Sequence, residues 1–213
     1  MFQGVFLRLL VALQIIWSAV AMTQVHIPAS YLVLSNVQSG ANIGRMIRSA
    51  SIFGVTECIV VGKRKWGLQG DHGSRYDVPF KHFYRHEDCK KYLHQRGADI
   101  LGVEIDDHAL PISSYDRDTG FVLFPFKGPS AFVLGNEGEG LSPSFRKICD
   151  SLVYIPQVRG GHGDGSNYGS ASLNVACAAA VVLQTYMLWA GFNQASMVGE
   201  KFISEHATPS VEI

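Results

Sequence analysis

Short apolar runs recur along the chain, and between them lie stretches in which apolar positions return every three or four residues. "YLVLSN" (31–36), "ECIVVG" (57–62), "DILGVEI" (99–105), "AFVLGN" (131–136) and "SLVYIP" (151–156) are rich in Val and Ile and lack a polar alternation. They read as strands buried on both faces. "NIGRMIRSASIFG" (42–54), "HEDCKKYLHQRG" (86–97) and "SPSFRKICD" (142–150) read as helices. Asn42 is placed to cap the first and Gly54 to end it, while Ser142 followed by Pro143 opens the third. A last helix starts at "SLNV" (172–175) and carries a small-residue face of Ala176, Ala178, Ala179 and Ala180. Strands alternating with helices predict an α/β domain, a mostly parallel sheet with helices on both faces.

Residues 1–21 stand outside that pattern. "MFQGVFLRLLVALQIIWSAVAM" has one Arg, an apolar stretch and an Ala-Val-Ala ending directly before Met22. Three readings fit: a secretory signal peptide, an upstream extension of a protein that begins at Met22, or an organellar presequence. The stretch is short for a membrane span. The expected organisation is a hydrophobic extension at 1–21, one domain at 22–195 that needs no membrane, and a tail at 196–213.

Composition narrows the class. With 47% hydrophobic and 17% charged residues in a chain of 213, disorder and coiled coil are excluded. Eighteen basic and eighteen acidic residues cancel, so net charge does not point to nucleic acid. The distribution does: residues 63–96 hold nine Lys or Arg, four acids and His72, His82, His86 and His94, whereas 99–118 hold six acids and one Arg. A basic face is compatible with a neutral whole. Cys58, Cys89, Cys149 and Cys177 form no C-x-x-C pair and no zinc-finger spacing, so no metal and no disulfide framework is expected. Three of them sit in apolar or helical surroundings, which suits buried free thiols in an intracellular setting, whether cytoplasm, nucleus or organelle.

Three segments carry chemistry. In "LSNVQSGANIGRMIRSASIFGV", Asn36 ends a strand, and Arg45 and Arg48 share nearly one face of the following helix. Arg48 stands there among small and apolar residues. In "AFVLGNEGEGLSP" a buried strand runs directly into Gly135, Asn136, Glu137, Gly138, Glu139 and Gly140, a run that permits positive φ and close backbone approach to a ligand. Glu137 lies at the strand's carboxyl end, where open α/β sheets bind ligands. The third segment, "YIPQVRGGHGDGSNYGSASLNVACAAAVV", looks at first like a phosphate loop. That reading fails, because no Lys occurs between Lys147 and Lys201 and no acid follows at ribose-binding distance.

Taken in this order, the segments resemble the SpoU/TrmH family of RNA ribose 2'-O-methyltransferases, in the SPOUT superfamily. The matching positions are Asn42 and Arg48 in N-x-x-x-x-x-R, Gly135, Glu137 and Gly140 in L-G-x-E-x-x-G, and Ile155-Pro156 followed by Ser172-Leu173-Asn174-Val175. The resemblance implies a C-terminal deep trefoil knot, S-adenosyl-L-methionine as methyl donor, tRNA or rRNA as substrate, and a homodimer. It implies Asn42, Arg48, Glu137, Ser172 and Asn174 as the catalytic set. Leu134, Gly135, Asn136, Gly138, Ile155, Gln157 and Leu173 are then the cofactor-binding set. One departure stands out: fifteen residues separate Pro156 from Ser172, a longer connection than the family's. A non-catalytic RNA-binding or assembly protein on the same fold is the alternative, and a secreted α/β protein rests only on residues 1–21.

Overall fold

The computed structural model of the chain describes residues 28–35, 39–62, 69–136, 138–157 and 172–196. In chain order the elements are β1 (Ser30–Ser35), α1 (Gly40–Ile52), β2 (Glu57–Val61), β3 (Phe80–Phe83), α2 (His86–His94), β4 (Asp99–Val103), β5 (Leu110–Pro111), β6 (Ser114–Tyr115), β7 (Val122–Leu123), β8 (Ser130–Leu134), α3 (Pro143–Ile148), β9 (Ser151–Tyr154) and α4 (Val175–Ala190). Seven strands form one sheet in the order β3-β2-β1-β8-β4-β9-β5, and every pairing in it is parallel. β6 and β7 form a separate antiparallel hairpin.

The unbroken apolar runs follow from burial on two sides. Leu32, Leu34, Cys58, Val60, Phe132 and Leu134 face a core shared with Ile43, Met46 and Ile47 of α1 and Ala179, Val182 and Leu183 of α4. Their neighbours Tyr31, Val33, Ile59, Val61, Ala131 and Val133 face Cys89 and Leu93 of α2 and Phe145 and Ile148 of α3. Each such aliphatic side chain contributes about 1.5–3 kcal/mol by leaving water, so neither face tolerates a polar alternation. Tyr186 of α4 anchors its helix at the amino ends of the neighbouring strands β1 and β8. Its hydroxyl lies 2.9 Å from the carbonyls of Ala29 and Gly128, and its ring packs among Phe126, Phe132 and Trp189.

Two helix signals hold as expected and one does not. Ser142 accepts a hydrogen bond from the Phe145 amide ahead of Pro143, and Gly54 adopts φ +69° just past α1. The cap of α1, however, is Ser39, whose hydroxyl accepts from the Asn42 amide. Asn42 sits inside the first turn and is 7% exposed, which frees its side chain for another role. Asn36, Glu137, the 158–171 part of the long connection and the terminal segments 1–27 and 197–213 lie outside the described residues. The expected knot rests on that same connection, between β9 and α4, and so lies outside the described residues.

The sheet order sets the site. β4 is inserted between β8 and β9, so the carboxyl ends of three strands far apart in sequence adjoin. The chain leaving β8 passes through α3 and skips over β4 to reach β9. That is the kind of crevice at which parallel sheets hold ligands.

Candidate active site

A cavity of about 330 Å³ opens at that crevice. Val103, Glu104 and Ile105 line it from the end of β4, Leu134, Gly135 and Asn136 from β8, and Tyr154, Ile155 and Gln157 from β9; Ser172, Leu173, Val175 and Ala178 close it from the start of α4. All seven residues expected to hold a cofactor, Leu134, Gly135, Asn136, Gly138, Ile155, Gln157 and Leu173, are on its wall, together with Ser172.

The loop after β8 is shaped by its glycines and by one carboxylate. Asn136 and Gly140 exchange backbone hydrogen bonds of 2.8 and 2.9 Å, pinching the loop shut. A side chain at Gly135 would collide with the backbone of Gly140 and stand 2.6 Å from the Leu141 nitrogen. Gly140 adopts φ +67° and lies directly against the Glu104 carboxylate. Glu104 Oε2 in turn accepts the Leu141 amide at 2.6 Å. Glu104 thus ties the loop to β4 across 37 positions of sequence. A lone acid ending an apolar strand was the available signal for it, and it carried no motif.

A second cluster joins α1 to α4. Asn174 caps α4 by accepting the Ala176 amide at 3.0 Å, and its Nδ2 donates to Asn42 Oδ1 at 3.3 Å. Arg45 Nη1 donates to the same oxygen at 3.4 Å. Two of the five expected catalytic residues therefore meet directly, and a third, Ser172, lies two residues from Asn174 on the cavity wall. Arg48 is exposed and sits six residues beyond Asn42, about 120° further around the helix. Arg45 is the guanidinium in contact with Asn42, a role that i,i+3 spacing allowed and the motif did not single out.

The cysteines stay apart from this chemistry. All four are free thiols. Burial pushes Cys89 and Cys149 up to about 12 and raises Cys58 as well, so none of these three is a thiolate nucleophile at neutral pH. Among the described residues no three His, Cys, Asp or Glu side chains converge as metal ligands would.

The model of the SpoU rRNA Methylase family matches residues 29–184, from the start of β1 into α4. The chain belongs to that family. Among its curated relatives, the 23S rRNA (guanosine-2'-O-)-methyltransferase RlmB of Ralstonia nicotianae is 30% identical over 162 residues, covering 73% of this chain and 57% of the relative. The 23S rRNA (uridine(2479)-2'-O)-methyltransferase of Streptomyces viridochromogenes is 30% identical over 154 residues, covering 68% of this chain and 47% of the relative. The chain thus spans about half the length of these SpoU-family enzymes. The solved SpoU methyltransferase AviRb from Streptomyces viridochromogenes, in complex with AdoMet, shares the fold with a TM-score of 0.56 at 24% identity, over 77% of this chain and 60% of that one.

Proposed function

We propose that this chain is an S-adenosylmethionine-dependent methyltransferase acting on a ribose 2'-hydroxyl of rRNA or tRNA. The observation that carries the reading is the cavity itself. Its wall includes all seven positions that the resemblance assigns to the cofactor, from the ends of β8 and β9 and the start of α4, which this topology brings together beside β4. Its size suits a nucleoside-bearing ligand. Leu134, Ile155, Leu173 and Val175 offer an apolar side to a flat ring, and the missing side chains at Gly135 and Gly140 let the loop fold tightly onto itself and Glu104 beside them. S-adenosylmethionine, when bound, supplies a methyl group on an electrophilic sulfonium.

The chain's own residues have to handle the acceptor. A ribose hydroxyl is a poor nucleophile at neutral pH and must shed its proton during attack. Arg48, a guanidinium and so a reluctant base, stabilises the alkoxide as it develops. Asn42, held by Arg45 and Asn174, orients the ribose, and the proton leaves through the Ser172 and Asn174 side of the cavity. The enzyme works as a homodimer: α4 presents Val181 and Leu188 to solvent, the latter 58% exposed, on the face opposite its buried stripe.

Incubation of the purified chain with bulk tRNA and rRNA and methyl-labelled S-adenosylmethionine tests this. Nucleosides released by digestion should carry the label as 2'-O-methylribose, and light scattering should give twice the chain mass. Label on a base, or no binding of S-adenosylmethionine at all, overturns the proposal.

A further inference from the structure

Residues 69–77, ahead of β3, run lengthwise down α1. A Cβ on Gly44 would strike Gln69 and come within 2.9 Å of the Asp71 nitrogen, so the two backbones are in direct contact there. Further along, the Ser51 hydroxyl donates to Asp77 Oδ2 at 3.2 Å. Positions 44, 48 and 51 share one helix stripe. Arg48 therefore stands between the two anchor points, beside residues 72–76, and Arg45 flanks the same segment where a Cβ on Gly70 would meet its Cγ at 3.9 Å.

This segment is built to hold one shape. The Asp71 side chain is only 5% exposed and receives Nε and Nη2 of Arg75 at 2.6 Å each, a bidentate pair. Backbone bonds from Ser74 to Asp71 and from Tyr76 to Gly73 tighten the turn. His72 is held at φ +50°, a conformation that residues other than glycine rarely take. The turn ends on Tyr76, which is 82% exposed. A large aromatic ring is thus displayed in water on a stiff support.

Two charges along this stretch are positive and stand outside its ion pair. Arg45 and Arg48 are exposed on α1, Arg75 and Asp71 neutralise each other in their ion pair, and Asp77 accepts from Ser51. An exposed aromatic ring on a segment that runs past two arginines matches an unpaired base with its phosphates. Resting on the reading under Proposed function, we propose that Tyr76 is a stacking platform for a base flanking the acceptor nucleotide, with Arg45 taking the adjacent phosphate. The acceptor strand then lies along α1, from the Asn42 end toward Ser51.

Binding of bulk tRNA and rRNA to the full chain tests the platform. Tyr76→Ala should weaken RNA binding about tenfold or more, as expected for one lost stacking contact. It should leave S-adenosylmethionine affinity and the salt slope of RNA binding unchanged, since no counterion-releasing charge is removed. Tyr76→Phe should bind within about twofold of wild type, and Arg45→Gln should lower the salt slope. Phe121, 70% exposed on the acidic hairpin beyond the opposite sheet edge, serves as control, and Phe121→Ala should have no effect. Tyr76→Ala binding as well as wild type, or an equal loss in Phe121→Ala, overturns the platform while leaving the methyltransferase reading intact. A wild type that neither methylates RNA nor binds it overturns both.

Discussion

Replacing Glu104 with Ala should loosen the cofactor loop without unfolding the protein. Its Oε2 accepts the Leu141 amide at 2.6 Å, and Leu141 is itself 8% exposed, so the variant leaves a sheltered N–H with no acceptor in place. A hydrogen bond to a charged group is worth about 1.5–3 kcal/mol, and a stranded buried donor costs about 1–3 kcal/mol. Taking about 2 kcal/mol against the closed loop, cofactor affinity should fall roughly thirtyfold. The remaining closure is the Asn136–Gly140 pair, which is backbone only and survives the substitution. Glu104→Gln keeps an acceptor oxygen of the same shape and loses only the charge, so its deficit should be about fivefold. Calorimetric titration of S-adenosylmethionine into wild type and both variants reads the effect directly. Thermal melting should show a drop of only a few degrees, because the loss is confined to one loop. An Ala variant with wild-type affinity would refute the clamp, and equal deficits in Gln and Ala would assign the effect to lost charge alone.

The other expectations are shorter. Gly135→Ala should abolish measurable cofactor binding, since its Cβ meets immobile backbone at Gly140 and Leu141, and the same titration checks it. Arg48→Ala should lower single-turnover methylation about a hundredfold, roughly 3 kcal/mol, with cofactor affinity unchanged, and Arg48→Lys should not restore it, because an ammonium lacks the planar fork. Equal rates in all three would remove Arg48 from the chemistry. The Arg75 guanidinium bonded to Asp71 holds that carboxyl below its ordinary value. The resulting stability is present above about pH 4 and lost as pH falls through the lowered pKa. Asp71→Asn should therefore melt several degrees below wild type at pH 7, with the gap closing toward pH 3; a gap that stays constant would show that the pair contributes no pH-linked stability.

The division between sequence and tertiary structure runs along the range of the interactions. Burial on both faces leaves an unbroken apolar run, and helix ends leave Ser142-Pro143 and Gly54, so five of the strands and all four helices were legible from local pattern. β3 was not, because an edge strand reading Phe-Lys-His-Phe is only half buried and needs no Val or Ile run. Ser39 outcompeted Asn42 as the cap because the helix begins two residues earlier than the apolar spacing requires. The motif residues named much of the cavity wall, where Gly135 and Gly140 answer close approaches that a larger side chain would not permit. What sequence could not hold was the insertion of β4 between β8 and β9, which depends on how whole strands pack and not on any residue's neighbours. That insertion puts Glu104 against Gly140, and the packing of α1 on α4 puts Asn42 in reach of Asn174 across 132 positions. Pattern along a chain records what each residue must be hidden from, while its partner across such a distance is chosen by the packing of the whole.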